Sequence, residues 1–353
     1  MSLLRQLNDT LKPGFMLNGV WDTSYNALGQ GLFFPTNDIT NPNVIPNEFG
    51  LRGGCAVFGK GRFILTTFSA NGFVYHVWDG MSKDTKQPKS SVLDPAASGE
   101  NWPGNIAYAN SMFMTAPYNA TARNGDIQTS SDGWTWTVYT DVLPSVAGFW
   151  YGPYYNASTG RWITMASASG SFYSSTDGGA TWSSRCSNPN GSSIGSMAYG
   201  NNRWVYTDPN YLSPGRVWTS TNDGSSWSSV NLSGFNYVNH VTWNDHDSQF
   251  VAVGGAWGGD VYARISTSPD GVTWTARLAG SDSFVFRNVI GDNTGKYIAL
   301  GAPYVGGTYV ATNLYWYSTN SGVTWQSATM PITTWIDPGR HQRLAFGDIR
   351  QGL

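Results

Sequence analysis

One motif returns five times along the chain, and it constrains the fold more tightly than any other feature. The copies read Ser130-Ser131-Asp132-Gly133-Trp134-Thr135-Trp136, Ser175-Thr176-Asp177-Gly178-Gly179-Ala180-Thr181-Trp182, Ser220-Thr221-Asn222-Asp223-Gly224-Ser225-Ser226-Trp227, Ser268-Pro269-Asp270-Gly271-Val272-Thr273-Trp274 and Ser318-Thr319-Asn320-Ser321-Gly322-Val323-Thr324-Trp325. The closing tryptophans stand at 136, 182, 227, 274 and 325, so the intervals are 46, 45, 47 and 51 residues. Such a period marks a repeat architecture, in which each unit buries its faces against its neighbours. A second landmark lies upstream in each unit, as in Met197-Ala198-Tyr199-Gly200-Asn201-Asn202-Arg203-Trp204-Val205 and Val289-Ile290-Gly291-Asp292-Asn293-Thr294-Gly295-Lys296-Tyr297-Ile298. An apolar stretch, a Gly/Asn/Asp turn and a second apolar stretch predict a β-hairpin. A third strand leads into the motif, as in Arg216-Val217-Trp218-Thr219, and a fourth leaves it from Thr-Trp. Four strands per about 46 residues is the period of a β-propeller blade.

The motif makes physical sense as a turn. An Asp or Asn side chain accepts backbone N–H groups a few residues on, and Gly supplies a positive φ. The Ser and Thr hydroxyls are expected to saturate other backbone groups, and the closing Trp to start the outer strand with its apolar face beneath the turn. Asp132, Asp177 and Asp270, with Asn222 and Asn320 in the same slot, therefore read as structural, together with Trp136, Trp182, Trp227, Trp274 and Trp325. The pattern resembles the Asp-box, or bacterial-neuraminidase, repeat Ser-x-Asp-x-Gly-x-Thr-Trp. Two copies keep its spacing with Asn for Asp, and the copies at 130 and 268 are one residue shorter. The resemblance covers residues 103 to 327 and implies the propeller fold. It implies no single function, because sialidases, other glycosidases, sorting receptors, assembly factors and phage structural proteins share the repeat.

Hairpin landmarks begin near residues 54, 104, 147, 194, 239 and 287, which makes six units. The first has a degenerate box, Val74-Tyr75-His76-Val77-Trp78-Asp79-Gly80. After the last box, Arg343-Leu344-Ala345-Phe346-Gly347-Asp348 reads as one more innermost strand, and Phe15-Met16-Leu17 and Gly31-Leu32-Phe33-Phe34 are strand-like. The expected fold is all-β: one seven-bladed β-propeller over residues 15–353, with four-stranded blades, closed by pairing of N- and C-terminal strands that would otherwise be exposed edges. Six blades with an N-terminal appendage is the alternative. Residues 1–14 stand apart as an arm. Leu3, Leu4, Leu7 and Leu11 fall on one helical face, and Pro13-Gly14 ends it. The arm is expected to lie on the propeller as a helix or to dock onto another protein.

Composition fits a chain of many turns: 42 Gly and 17 Pro among 353 residues, with 15% aromatic residues. Hydrophobic residues make up 40%, ample for a core, so global disorder is excluded. Only 12% of residues are charged. The net charge of −2 comes without a basic stripe, so nucleic acid is not an expected partner. Lys83, Lys86 and Lys89, with Asp84 among them, read as a solvated loop. No apolar run approaches the ~20 residues of a membrane span, and the first residues carry no signal-like stretch. The expectation is a chain made in the host cytoplasm without a signal peptide, not inserted in membranes. Cys55 and Cys186 cannot build a disulfide framework or a zinc site, and read as small, mostly buried residues. Asp245-His246-Asp247 has the look of a metal cluster, yet it sits where sibling units place the first hairpin turn. A solvated turn is expected there, and no metal and no cofactor.

The natural enzyme hypothesis is a sialidase. That family uses an arginine triad on the substrate carboxylate, a Tyr–Glu nucleophile pair, an Asp acid/base and an Arg-Ile-Pro-type motif near the start. This chain has no Arg-Ile-Pro, and its only glutamates, Glu48 and Glu100, sit in no recognisable motif. Glycosidases in general need two positioned carboxylates, and Asp is abundant enough to leave Asp-based chemistry open. By resemblance to the family, the boxes lie on the face opposite the active-site face. The functional face is then built from the loops between second and third strands and the links between blades. Those segments carry Trp102, Tyr118, Arg123, Tyr211, Phe235, Tyr237, Trp257, Tyr304, Tyr309 and Trp335. Flat rings stack on sugars or protein, and short polar neighbours hydrogen-bond. The expected function is a non-enzymatic structural or adhesive component of a phage virion, in its tail or capsid appendage and multimeric in the particle. The arm would hold other virion proteins, and the loop face would contact a host-surface glycan or protein. A glycoside hydrolase and an intracellular assembly or scaffolding propeller are the alternatives.

Overall fold

The computed structural model describes residues 14–17, 31–35, 39–40, 43–45, 52–69, 72–78, 83–86, 101–102, 105–119, 125–144, 150–167, 169–189, 191, 194–210, 214–257, 261–305, 308–310, 312–330 and 344–347. The arm with Leu3, Leu4, Leu7 and Leu11 lies outside them, as do Arg123, Tyr211 and Trp335. Every helix or strand among the described residues is a strand.

The first three strands are β1 (Gly14–Leu17), β2 (Gly31–Pro35) and β3 (Asn43–Ile45). A four-stranded sheet follows, made of β4 (Arg52–Gly59), β5 (Arg62–Ser69), β6 (Gly72–Trp78) and β7 (Lys83–Lys86). The next segment holds β8 (Asn101–Trp102), β9 (Ile106–Ala109), β10 (Met112–Thr115), β11 (Tyr118–Asn119), β12 (Gly125–Ser130) and β13 (Thr137–Leu143). Of these, β9, β10, β12 and β13 form a sheet, while β8 and β11 pair with each other. Two more sheets are β14 (Trp150–Asn156) to β17 (Ser183–Ser187), with β15 (Arg161–Ala166) and β16 (Ser171–Ser175), and β18 (Met197–Gly200) to β21 (Ser228–Leu232), with β19 (Arg203–Thr207) and β20 (Gly215–Ser220). The last strands are β22 (Tyr237–Asn244), β23 (Gln249–Trp257), β24 (Val261–Ser268), β25 (Thr275–Gly291), β26 (Tyr297–Val305), β27 (Thr308–Tyr309), β28 (Leu314–Ser318), β29 (Gln326–Thr329) and β30 (Leu344–Gly347).

All pairings are antiparallel and follow chain order within each sheet, apart from the join at the termini. There β30 pairs with β1, Leu17 opposite Leu344 and Gly14 opposite Gly347, giving the order β3-β2-β1-β30. A second departure is β25, whose 17 residues serve two sheets. Its first part pairs with β24 and its second with β26, so eight strands join without a break. The segment read as a lysine-rich loop is corrected: Lys83–Lys86 forms β7, the fourth strand of its sheet, with Tyr75 opposite Lys86. A fourth strand has a neighbour on one edge only, so it tolerates polar residues that pattern alone reads as loop.

The core lies between sheets. One cluster joins Cys55, Val57, Ile64 and Val77 of the β4 sheet to Ile106 and Phe113 of the next. Corresponding clusters fill the successive gaps up to the one holding Val251, Ile265, Phe286 and Tyr297. The first strands β4, β9, β14, β18, β22 and β25 touch in that order, and β30 touches both β25 and β4.

The box turns hold these gaps together. The Ser175 hydroxyl accepts from Gly179 N at 2.9 Å and donates to Asp177 Oδ1 at 2.8 Å, while Asp177 accepts from Thr181 N at 3.0 Å and from its hydroxyl at 2.5 Å. The Trp182 indole N–H closes the loop on the Gly179 carbonyl at 3.0 Å. Asn does the same work in reverse polarity: Asn222 Nδ2 donates to Ser226 Oγ at 2.8 Å and Asn320 Nδ2 to Thr324 Oγ1 at 2.9 Å. The expectation that Trp lies beneath its own turn needs widening. Trp136, Trp182, Trp227, Trp274 and Trp325 each pack into the cluster shared with the preceding sheet. The box glycine belongs to the same contact. At Gly133, Gly224 and Gly271, with φ of +79°, +77° and +72°, a Cβ would lie 2.7 to 3.0 Å from Ile64, Ile163 and Val205 of the preceding sheet. Glycine is therefore required twice, by conformation and by close approach.

Polar clasps repeat the theme. Arg62 Nη1 donates to the Asp132 carbonyl at 3.0 Å, and Gln249 Nε2 to the Ser321 carbonyl at 2.8 Å, each from the start of a second strand to the next sheet's box. The strongest clasp gathers Arg161 Nε at 2.6 Å, Asn156 Nδ2 at 2.8 Å and Trp204 Nε1 at 3.0 Å on the Asp223 carboxylate. Burial opposes its ionisation, but these donors outweigh burial and hold its carboxyl below the usual range. Asp247 of the predicted turn is a similar clasp, accepting from Tyr297 Oη at 2.6 Å and Ser321 Oγ at 2.8 Å of the next sheet.

Three substitutions in these turns have stability outcomes that chemical denaturation reads. Asp177→Ala strips acceptors from the turn and should cost about 1–2 kcal/mol in chemical denaturation, whereas Asp177→Asn should stay within about 0.5 kcal/mol at neutral pH, as its siblings already use Asn. Burial opposes the Asp177 charge, but Thr181 and Ser175 bring its carboxyl down to about 2 from 3.8. Its contribution is then complete above pH 3.8 and lost as pH falls towards 2, and the Asn variant should lack that acid-dependent part. Asp223→Asn keeps a residue tolerant of its φ of 57°. It should still cost about 1–3 kcal/mol, because Arg161 loses its counter-charge.

Candidate functional site

The clasps fix which loops share a face. First-to-second hairpin turns meet the boxes of the next sheet, so the boxes and those turns lie together. Second-to-third loops and the links meet at the other end of the sheets. There Val238 N donates to the Asp208 carbonyl at 3.2 Å, Asn236 N to the Gly255 carbonyl at 2.9 Å, and Arg264 Nε to the Gly234 carbonyl at 2.8 Å. Of the expected binding residues, those the structure describes belong to segments at this end of the sheets.

Three antiparallel pairings extend that face beyond the four-stranded bodies. The β23–β24 hairpin runs on to Trp257 opposite Val261. In β26–β27, Tyr304 stands opposite Tyr309 and Val305 opposite Thr308. In β8–β11, Trp102 stands opposite Tyr118. Five of the expected aromatics are thus brought into short cross-strand ladders. Tyr304 is half-buried, and beside it Val305 and Val310 are 56% and 42% exposed. Tyr237 is half-buried at the start of β22. Phe235 is corrected: it is 2% exposed, packed with Val217, Leu232 and Val238, so its ring fills the gap between sheets and offers no surface. A ring in a tight link is as apt to plug such a gap as to face a ligand.

Among the described residues of this face, Asp208, Arg216 and Arg264 are committed to structure. The Asp208 carboxylate is fully buried, 3.2 Å from Arg216 Nε, and also accepts from Asn210 N at 3.1 Å and Asn210 Nδ2 at 2.9 Å. Arg216 lies over the Trp218 ring at 5.4 Å. Arg264 serves three carbonyls, those of Gly234, Ala263 and Gly280, and lies over Tyr262. A buried carboxylate with its own arginine and amide donors is a means of fixing a loop. Sequence reading passed over Asp208, whose Asp-Pro-Asn context signals only a turn.

A cavity of about 130 Å³ lies between the first strands of five successive sheets. Its walls include Asn105, Tyr154, Ser196, Met197, His240 and Thr242, with Val289 on β25. Among the described residues that line it, none is a carboxylate, lysine or arginine. Burial pushes the His240 imidazole down to about 4, so it is neutral near pH 7. Burial pushes the Tyr154 hydroxyl up; it lies near the Asn105 side chain and the Met197 backbone without reaching a hydrogen bond. The cavity offers neutral hydrogen-bonding groups and no pair of carboxylates. No group of three or more potential metal ligands occurs among the described residues; Cys55 is buried with its thiol donating to Asn105 Oδ1 at 3.4 Å, and Cys186 is half-buried with its thiol on the Gly224 carbonyl.

No protein-family model matches the chain, and no curated protein matches it. Solved structures do. YCF48 from Cyanidioschyzon merolae superposes with a TM-score of 0.54 at 14% identity, over 82% of this chain and 93% of that one. Virginiamycin B lyase from Staphylococcus aureus gives 0.57 at 10% identity, over 84% and 92%. The GH74 xyloglucanase from Xanthomonas campestris gives 0.54 at 14% identity; 97% of this chain is covered but only 55% of the enzyme, so the chain spans about half of that protein. At such identities the likeness concerns the fold alone, and the fold is a β-propeller.

Proposed function

We propose that the chain is a seven-bladed propeller, closed through its terminal strands, that acts as a non-enzymatic adhesive or structural component of a phage particle. Six sequence units plus the β3-β2-β1-β30 sheet support seven blades, and the succession of first strands, with β30 touching both β25 and β4, supports closure. The observation that carries the binding role is the loop face. Its extended hairpins bear Trp257, Tyr304 and Tyr309, its described arginines are spent on carbonyls and on Asp208, and Val305 stands exposed. A surface of aromatic residues carried on paired strands suits a neutral glycan or a protein epitope. The glycosidase alternative needs two carboxylates near an arginine in the inner cavity, and the described lining supplies neither. A composition poor in charge and rich in Gly, Ser, Thr, Asn and aromatics supports the virion setting, with the N-terminal arm as its attachment to other virion proteins.

A glycan array and a host-cell binding assay test this reading. Binding is expected, and Tyr304→Ala and Trp257→Ala should each weaken it about tenfold, near 1.4 kcal/mol, while moving folding stability little. Background-level binding together with clear hydrolysis of a sialoside or a glucan reverses the reading. Mass spectrometry of purified particles checks the setting, and particles without the chain count against it.

A further inference from the structure

The inner strand β22 is tied to both neighbouring inner strands within three consecutive residues. Asn239 Nδ2 donates to the Phe286 carbonyl of β25 at 2.7 Å, and Arg287 Nη1 reaches Asn239 Oδ1 at 3.3 Å. On the other side, Val241 N donates to Ser196 Oγ at 2.7 Å, and the Ser196 hydroxyl reaches the Val241 carbonyl at 3.2 Å. His240 is the residue between these two ties. The ladder is irregular here on both strands, between Val238 and His240 and between Phe286 and Asn288, as β-bulges that re-aim side chains require. The backbones nearly touch, for a Cβ on Gly195 would lie 2.1 Å from the Asn239 carbonyl oxygen.

The His240 ring borders the inner cavity, while its Nδ1 is closed off from solvent and has no hydrogen-bond partner. Among the described residues, none hydrogen-bonds the His240 Nδ1. Tyr199 comes from β18, Arg203 and Tyr206 from β19, Arg216 from β20, and Arg277, Asp282 and Arg287 from β25; β23 brings no titratable group, and across the cavity stands Tyr154. Two carboxylates adjoin β22 and are engaged elsewhere: Asp208, whose carbonyl accepts from Val238 N, is paired with Arg216, and Asp292, whose carbonyl accepts from Asn244 Nδ2, accepts from Thr294 N and Lys296 N. The cation of Arg287, by contrast, is bonded to the residue next to His240. An imidazolium at 240 would place a charged Nδ1–H in a site closed off from solvent with no acceptor, and with the Arg287 cation bonded to the residue beside it, which is costly.

We propose that His240 is an acid-sensitive pin of the inner seam, which lets β18, β22 and β25 close on one another when neutral and opens them locally, admitting water to the inner cavity, when protonated. The device does not depend on what the loop face binds. The imidazole sits at about 4 in the closed seam against an ordinary 6.5. Closure is therefore fully favoured above pH 6.5, loses ground as pH falls from 6.5 to 4, and loses no more below. With the ordinary value restored on opening, the open fraction should rise roughly twentyfold between pH 7 and pH 5.

Amide hydrogen exchange on the full chain reads this directly at Val241, whose N–H bonds to Ser196. After correction for the intrinsic pH dependence of exchange, protection should fall about twentyfold from pH 7 to pH 5 in the wild type and less than about twofold in His240→Gln. Equal protection at both pH values in the wild type, or an equal fall in the variant, overturns the proposal. Should the variant not fold, NMR titration of the wild-type imidazole replaces it: a midpoint near 4 supports the pin, and one near 6.5 refutes it.

Discussion

Five successive blades of this protein are each locked to the one before by the back of a turn. The box serine and its Asp or Asn partner satisfy the turn's own N–H groups, which frees the turn to be placed against an apolar surface. Glycine opens the left-handed conformation and leaves space for an aliphatic side chain from the preceding sheet. The closing tryptophan then fills the same gap, with its N–H returned to the glycine carbonyl in four of the five copies. The third copy shows what the arrangement tolerates. There the Gly224 carbonyl takes the Cys186 thiol at 3.2 Å and the Trp227 N–H has no partner, while Phe172 stacks on the indole at 5.1 Å and Tyr206 meets it edge-on at 4.7 Å. Packing area outweighs one hydrogen bond at that site.

Because the locks gather at one end of the sheets, the other end is free to vary. The box face is consumed by clasps such as Asp223 with Arg161 and Asp247 with Tyr297. The loop face needs only enough order to hold its links, and buried pairs such as Asp208 with Arg216 provide it. Its hairpins can then project. The unbroken strand β25 strengthens one sector, since it carries the β23–β24 and β26–β27 hairpins on a single eight-stranded sheet. A surface built on paired strands is held more precisely than one built on free loops.

The inner strands follow a different rule. They meet edge to edge, so backbone approach and small polar side chains replace aromatic filling. Ser196 and Asn239 bond across the seam, and the bulges leave a cavity lined by Tyr154 and His240. Burial favours the neutral imidazole in that setting, which places the proposed acid-sensitive point among the first strands.

The repeat by itself determined the strand order, the box turns and the class of fold, because those depend on residues close in sequence: a serine two residues from its acceptor, a glycine where φ is positive, a tryptophan one step on. It also marked the loop aromatics, five of which fall into cross-strand ladders. The tertiary structure alone decided what depends on the neighbouring sheet. Asp223 reads in sequence as one more turn residue and becomes a carboxylate shared by four donors from two sheets. Phe235 reads as a surface ring and lies in the core, Lys83–Lys86 reads as loop and pairs as an outer strand, and His240 stands out only when β18 and β25 are seen on either side of it. Local pattern reports which backbone groups a segment can satisfy within itself, whereas burial and pKa are set by atoms some fifty residues away, brought near only by packing one blade against the next.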